Sequence, residues 1–262
     1  MLGFNAEFAR KFVEFLEVHV LRIRRLHVQS GGLKLFAEEM ETYWDAIPIH
    51  VIDFEGGPQC GIVEFGVVSI KGTTIESVAS RLCRPQRKIP LREQSVHGIS
   101  SGMTASQSSF KDEWDRFAAL RESGPMAAHF ASAESSMLKS VFPYPRSSPN
   151  WLDDGKRVVS WGPWIDTGVL YRGLEYDNES NKLQDLIGRY GLQEELDELG
   201  AAYCPEERKG YHCALYDAIA SALLLINYCQ NLSDVTVSLT RLIARSEGNP
   251  VKRRELEQRE LF

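Results

Sequence analysis

The stretch 49-IHVIDFEGG-57 places two carboxylates, Asp53 and Glu55, at the end of an apolar run. Side chains alternate faces along a strand, so Asp53 and Glu55 share one face and Phe54 takes the other. Like charges held close on one face cost energy unless something positive sits between them. A metal ion, a basic side chain or water at a frayed strand end would each answer that need. The next apolar run, 61-GIVEFGVVSI-70, reads as a second strand, and 74-TIESVASRLCRP-85 includes a third. Strands this close in sequence are expected to be hairpin-connected and antiparallel.

Beyond this meander the pattern changes to helical spacing. Helices are expected at 108–121, 132–141, 181–190 and 212–229, with short strands at 126-MAAH-129 and 158-VVSWGPWIDT-167. The Pro-, Ser- and Asp-rich stretch 143-PYPRSSPNWLDDGK-156 reads as a surface loop. The fold class that follows is α/β, a mixed sheet flanked by helices. Residues 47–230 form this unit. Residues 1–46 read as a helical extension, with Asn5 as cap, apolar positions Phe8, Phe12, Phe15, Leu16 and Ile23, and a break at Gly31-Gly32. Its Arg22, Arg24 and Arg25 read as a solvated face. Residues 231–262 read as one amphipathic helix, 233-SDVTVSLTRLIARS-246, and a charged tail that is either a helix or frayed.

The bulk numbers bound the function. A chain of 262 residues with 43% hydrophobic and 25% charged residues suits one large globular unit with additions. The formal net charge of -6 argues against a general nucleic-acid coat protein, but leaves room for an acidic metal site beside a small basic groove. The cysteines Cys60, Cys83, Cys204, Cys213 and Cys229 are odd in number and make no C-x-x-C pair, so reduced, mostly buried thiols are expected rather than a zinc site. The apolar run 219-IASALLLI-226 is too short to span a bilayer, and the start lacks the pattern of a secretory leader; the expected location is cytoplasmic.

Two further stretches carry acids. In 127-AAHFASAESSML-138 a small strand ends at His129, and Glu134 falls in the first turn of a helix, where the dipole alone would favour a carboxylate. In 211-YHCALYDA-218, His212 and Asp217 lie near the start of a long helix. Five residues make about 500° of rotation, so the two do not stack on one helical face. Placed at or before the first turn, His212 can still reach the cleft that Asp217 faces.

Each motif is weak alone. In this order they resemble the DEDDh group of 3′→5′ exonucleases, which have a ribonuclease H-like fold and include the ε subunit of DNA polymerase III and ribonuclease T. The resemblance covers roughly residues 48–228, and secondary cues agree: 61-GIVEFGVV-68, the H-G-I segment in 96-VHGISSGMT-104, Asp166-Thr167, and 183-LQDLIGRYGL-192. It implies a two-metal phosphodiester hydrolysis with Mg²⁺ or Mn²⁺, in which Asp53, Glu55 and Asp217 hold metal directly and Glu134 holds the second ion through water. His212 then takes a proton from the attacking water, as befits an imidazole. Phe54, Gly56, Gly57 and His129 are the expected substrate-binding positions, although His129 reads equally as a hydrogen-bonded structural residue. The expected partner is a single-stranded DNA or RNA 3′ end, with no membrane; a homodimer or a polymerase or repair partner stays open. Two departures stand out. The middle motif A-H-N-A-x-F-D is here 128-AHFASAE-134, with Phe130, Ala133 and Glu134 in place of Asn, Phe and Asp, and 56-GGPQ-59 replaces the usual Thr residues and Gly. A relative that binds nucleic acid or a partner protein without cutting it, and an interaction module working through the helical ends, are the competing readings. His97 is expected to fix a turn, and Trp161 and Trp164 to lie in the core or a groove wall.

Overall fold

The structure is a computed structural model, and it describes residues 42–153, 155–174, 180–231 and 237–259. The expected N-terminal helices lie, as far as residue 41, outside the described residues; residues 42–46 are not helical, and Tyr43 makes an antiparallel bridge with Ser238 instead. Strands β1 (Ile49–Gly57), β2 (Gly61–Lys71) and β3 (Thr74–Leu82) form the anticipated antiparallel meander. Helices α1 (Leu91–His97) and α2 (Ser101–Thr104) follow, then a 3-10 turn, Phe110–Glu113, that leads into α3 (Trp114–Ser123). Strand β4 (Met126–Ala128) lies parallel to β1 and feeds α4 (Ser132–Val141). A small ribbon, β5 (Ser148–Pro149) with β6 (Arg157–Val158), precedes β7 (Trp164–Asp166), which runs parallel to β4. The remaining helices are α5 (Thr167–Arg172), α6 (Leu183–Arg189), α7 (Gln193–Tyr203), α8 (Ala214–Asn231), α9 (Leu239–Arg245) and α10 (Pro250–Arg259).

The five-stranded sheet has the order β3-β2-β1-β4-β7, so β1 is its central strand. Alternation along β1 and β2 feeds two cores. Ile49, Val51, Val68 and Ile70 pack with α8, whereas Ile52, Phe54, Phe65 and Val67 pack with Phe110, Phe117 and Leu138 on the other face. This is a mixed sheet covered on both faces, the ribonuclease H-like arrangement the sequence implied. Asp53 and Glu55 continue the row of Ile49 and Val51, so they emerge on the α8 face. Gly66 stands opposite Asp53, and a Cβ there would lie 2.2 Å from the Ala214 carbonyl oxygen. The missing side chain is what lets the start of α8 settle onto the sheet beside Asp53.

Several expected elements differ in extent. The helix expected at 108–121 is a 3-10 turn until Glu113 and a regular helix only from Trp114. The single strand expected at 158–167 is two short pieces, because Pro163 has no N–H to continue a ladder. The loop at 143–156 contributes β5 to the ribbon. The C-terminal helix begins at Leu239, where the Ser238 hydroxyl accepts from the Arg241 N–H, and residues 250–259 form a helix of their own. Helices α1, α2, α5 and α7 were not anticipated. The first three are single turns or little more, and α7 is polar along most of its length and buries Leu196 and Gly200. Periodicity is a poor guide to such segments. All five cysteines are free and buried, as expected. Among the described residues no helix is long and apolar enough to cross a membrane.

Candidate active site

The site forms where β1 ends. Glu55 pairs with Glu64 across the β1–β2 ladder, so two buried carboxylates sit side by side on the α8 face. The turn before α8 brings in the late motif. His212 has a left-handed backbone, φ 65°, and its N–H donates to Asp217 Oδ2 at 2.9 Å. That bond folds the turn back over the first turn of the helix. Ligand atoms of Glu55, His212 and Asp217 consequently lie within 4.8 Å of one another, with Glu55 and Asp217 buried and His212 exposed at the rim. The five-residue spacing thus works through a tight turn, not through a helical face.

Glu134 arrives from α4. Its approach is set by Asp166 at the end of β7, whose carboxylate accepts from Phe130 N–H and Ala131 N–H, both at 3.0 Å, and from Val169 N–H at 3.1 Å. Asp166 therefore caps α5 and fixes the turn that launches α4. Phe130 is left-handed as well, φ 61°, a conformation that Asn adopts more readily than Phe. Its ring packs against His129 at 4.5 Å and under Arg172 at 5.5 Å, and Gly168 leaves it room: a Cβ there would stand 2.6 Å from the ring.

The electrostatics show that the acids converge. Loss of water contact, then the charges of Asp217, Glu134, Glu55 and Glu64, hold the Asp53 carboxyl well above the usual carboxylate range. Burial, with Asp217 and Glu64 adding to it, pushes Glu55 up to about 8. Burial also lifts Glu134 to about 8 and Asp217 to about 7, the latter against the pull of the His212 N–H. Four carboxyls that resist ionisation in one place form a strong cation-binding field. Buried polar atoms ordinarily have a hydrogen-bond partner; Glu134 Oε2 and Asp217 Oδ1 have none among the described residues. Hard oxygen donors left bare suit a divalent ion such as Mg²⁺, so the residues fit the metal that the sequence implied.

The other expected positions fall as follows. Phe54 is buried, with its ring 5.4 Å from Phe110 and 5.6 Å from Phe117, so its side chain faces the core and only its backbone borders the site. Gly56 sits at a register shift with φ 132°, and a Cβ on it would strike the Gly61 carbonyl oxygen. Gly57 lies against the Glu93 carboxylate. His129 is engaged on both ring nitrogens, Nε2 with the Asn181 carbonyl at 2.8 Å and Nδ1 with the Thr167 hydroxyl at 2.9 Å, and burial holds it down to about 4, so it stands as a neutral structural residue. His97 fixes its turn by accepting the Ile99 N–H at 3.0 Å. Trp161 is fully buried. Trp164 lines a groove of about 650 Å³ between α4, α5 and α9–α10. Sequence reasoning missed Glu64 and Arg208, which brace the turn before α8. The available signal was a lone charged residue, Glu64, inside an otherwise apolar strand; Arg208 stands among the charged residues of 206-EERK-209, with no local pattern to single it out.

Comparison with known proteins agrees with this geometry. Residues 51–139, which include Asp53, Glu55 and Glu134, match the exonuclease family model RNase_T. The chain is 26% identical over 204 residues to the PolC-type DNA polymerase III of Thermotoga maritima, which covers 75% of this chain and 13% of the length of that relative. Similar folds include Exonuclease X in complex with 5′ overhanging duplex DNA, with a TM-score of 0.53 at 24% identity over 74% of this chain and 99% of that one. The nuclease domain of 3′hExo, described as a DEDDh family member bound to rAMP, gives 0.52 at 19% identity, covering 76% and 98%. Exonuclease I from Methylocaldum szegediense gives 0.55 at 14% identity, covering 81% and 45%. The match over residues 51–139, the sheet order and the converging acids lead to one conclusion: this chain has the fold of these exonucleases, and its exonuclease-like segment carries Asp53, Glu55 and Glu134.

Proposed function

We propose that the protein is a divalent-metal-dependent 3′→5′ exonuclease that hydrolyses phosphodiester bonds at single-stranded DNA or RNA 3′ ends. The observation that carries this reading is the convergence of Asp53, Glu55, Glu134 and Asp217 at the end of β1, with bare buried oxygens on Glu134 and Asp217 and an exposed imidazole, His212, at the rim. Asp53, Glu55 and Asp217 would hold the metal directly, and Glu134 a second ion through water; Mg²⁺ or Mn²⁺ suits the oxygen donors. When bound, such ions supply Lewis-acid stabilisation of the phosphoryl charge and a more acidic water. The protein's own contribution is positional. His212 stands at the open side of the cluster, where it takes the proton of the attacking water, and the sheet holds the carboxylates rigid behind it. Arg172 and Lys139 line the neighbouring groove beside Phe130 and Trp164, a mixture of cations and rings that suits a nucleic-acid strand.

The deciding experiment is degradation of 5′-labelled single-stranded DNA and RNA with Mg²⁺, Mn²⁺ or EDTA, with Asp217→Asn in parallel. A metal-dependent ladder of shortening products that the variant does not form is expected. No product with either ion on either substrate would replace this reading with that of a non-cleaving relative.

A further inference from the structure

We propose that Arg208 is a positioning residue for His212: clamped by Glu64, its guanidinium fixes the left-handed turn that sets the imidazole beside Glu55 and Asp217. The inference rests on the exonuclease reading above and extends it to a residue outside the four acids and the histidine.

Arg208 is nearly buried, as is its partner; their side chains are 10% and 4% exposed. Its Nε donates to Glu64 Oε1 at 2.7 Å and its Nη2 to Glu64 Oε2 at 2.6 Å, a two-pronged pairing. The same guanidinium reaches two carbonyl oxygens: Nη1 that of His97 at 2.9 Å, and Nη2 that of His212 at 2.8 Å. Glu64 Oε2 accepts a further bond from the Ala214 N–H at 3.0 Å, the first residue of α8. One side chain thus ties together β2, the end of α1 and the turn before α8.

His212 needs such a tie. A β-carbon residue at φ 65° is uncommon and persists only where its surroundings hold it. The residue is held at both ends: its N–H by Asp217 and its carbonyl by Arg208. Its imidazole is exposed, so the hydrogen bonds that hold its backbone at both ends are what aim its Cβ. Release of the carbonyl frees the turn to relax toward negative φ, which swings the Cβ and carries the ring away from the carboxylates. A buried ion pair is weak evidence for stability in itself; the contacts to two carbonyls are what mark this one as a positioning device. A lysine could keep the charge but not the fork.

The test is Arg208→Lys, read in two ways. Amide hydrogen exchange at His212 is measured on the metal-free protein and needs no activity. Faster exchange there, by about tenfold or more with the core of the sheet unchanged, is expected. In the oligonucleotide assay kcat should fall by about ten- to a hundredfold with KM within about twofold, the scale of a displaced catalytic group. His212→Ala should cost little more in the Arg208→Lys background, whereas it costs heavily alone. Unchanged exchange at His212, or losses that multiply in the double variant, would overturn the proposal. If Arg208→Lys does not fold, the pair Arg208→Gln with Glu64→Gln, which buries no charge, replaces it with the same readouts. Absence of cleavage in the native protein would defeat the exonuclease reading, and the exchange result would still decide whether Arg208 holds the turn.

Discussion

Glu134→Gln should stabilise the metal-free protein, and increasingly so as the pH rises. Burial holds the Glu134 carboxyl at about 8 against an ordinary 4.5. The folded state therefore binds this proton more tightly than the unfolded chain, and stability falls as pH climbs from 4.5 through 8. One pH unit of difference between the two states is worth about 1.36 kcal/mol, so the penalty from this carboxyl grows by about 2 kcal/mol between pH 6 and pH 8. Glutamine keeps the shape and removes the charge. The gap in stability between variant and native protein should widen by that amount, or roughly 4–8 °C in melting temperature for a chain of this size. The assay is scanning calorimetry in EDTA at the two pH values. The buried His50 and His129, both held down to about 4, contribute equally to each protein, so the difference reports Glu134 together with Asp53, whose carboxyl its charge helps to hold up. Added Mg²⁺ should narrow the gap, since Glu134 completes the set of acids in the native protein; an ion at a hundredfold its Kd stabilises by about 2.7 kcal/mol. A gap that stays constant with pH, or a variant less stable than the native protein at pH 8 in EDTA, would refute the argument that these acids are confined together.

Other outcomes follow from single contacts. Gly66→Ala should destabilise by about 1–3 kcal/mol in urea unfolding and weaken cleavage, because the new Cβ meets the Ala214 carbonyl at 2.2 Å and lifts α8 off Asp53. His129→Ala should lose about 1–3 kcal/mol through the unpaired Asn181 carbonyl, the Thr167 hydroxyl keeping the Ala128 carbonyl as acceptor, with Mn²⁺ affinity by calorimetric titration retained. Glu55→Gln should lower that affinity by tenfold or more while circular dichroism stays native. The five buried thiols should resist a thiol reagent until denaturant is added; rapid labelling of the native protein would contradict their burial.

Much of this molecule is written in local pattern. The alternation in 49-IHVIDFE-55 and 61-GIVEFGVVSI-70 determines both strands and puts Asp53 and Glu55 on one face, because the period of a strand is two and one slip would expose the whole apolar row. The motif order, D-x-E, then A-H-x-A, then H-x-A-x-x-D, made the resemblance recognisable and singled out the candidate acids. What only tertiary structure decided was how those residues meet. The sharp approach of α8 depends on Gly66 standing opposite Asp53 in the β1–β2 register, a cross-strand fact. Phe54 sits in the core because α3 and the 3-10 turn before it deliver Phe117 and Phe110 to its face. Glu64 and Arg208 are 144 residues apart in the chain, and their partnership exists only once β2 and the turn before α8 are brought together. Periodicity reports which face a side chain occupies; it does not report which distant charge waits there, and in this protein that distant charge holds the turn that carries His212.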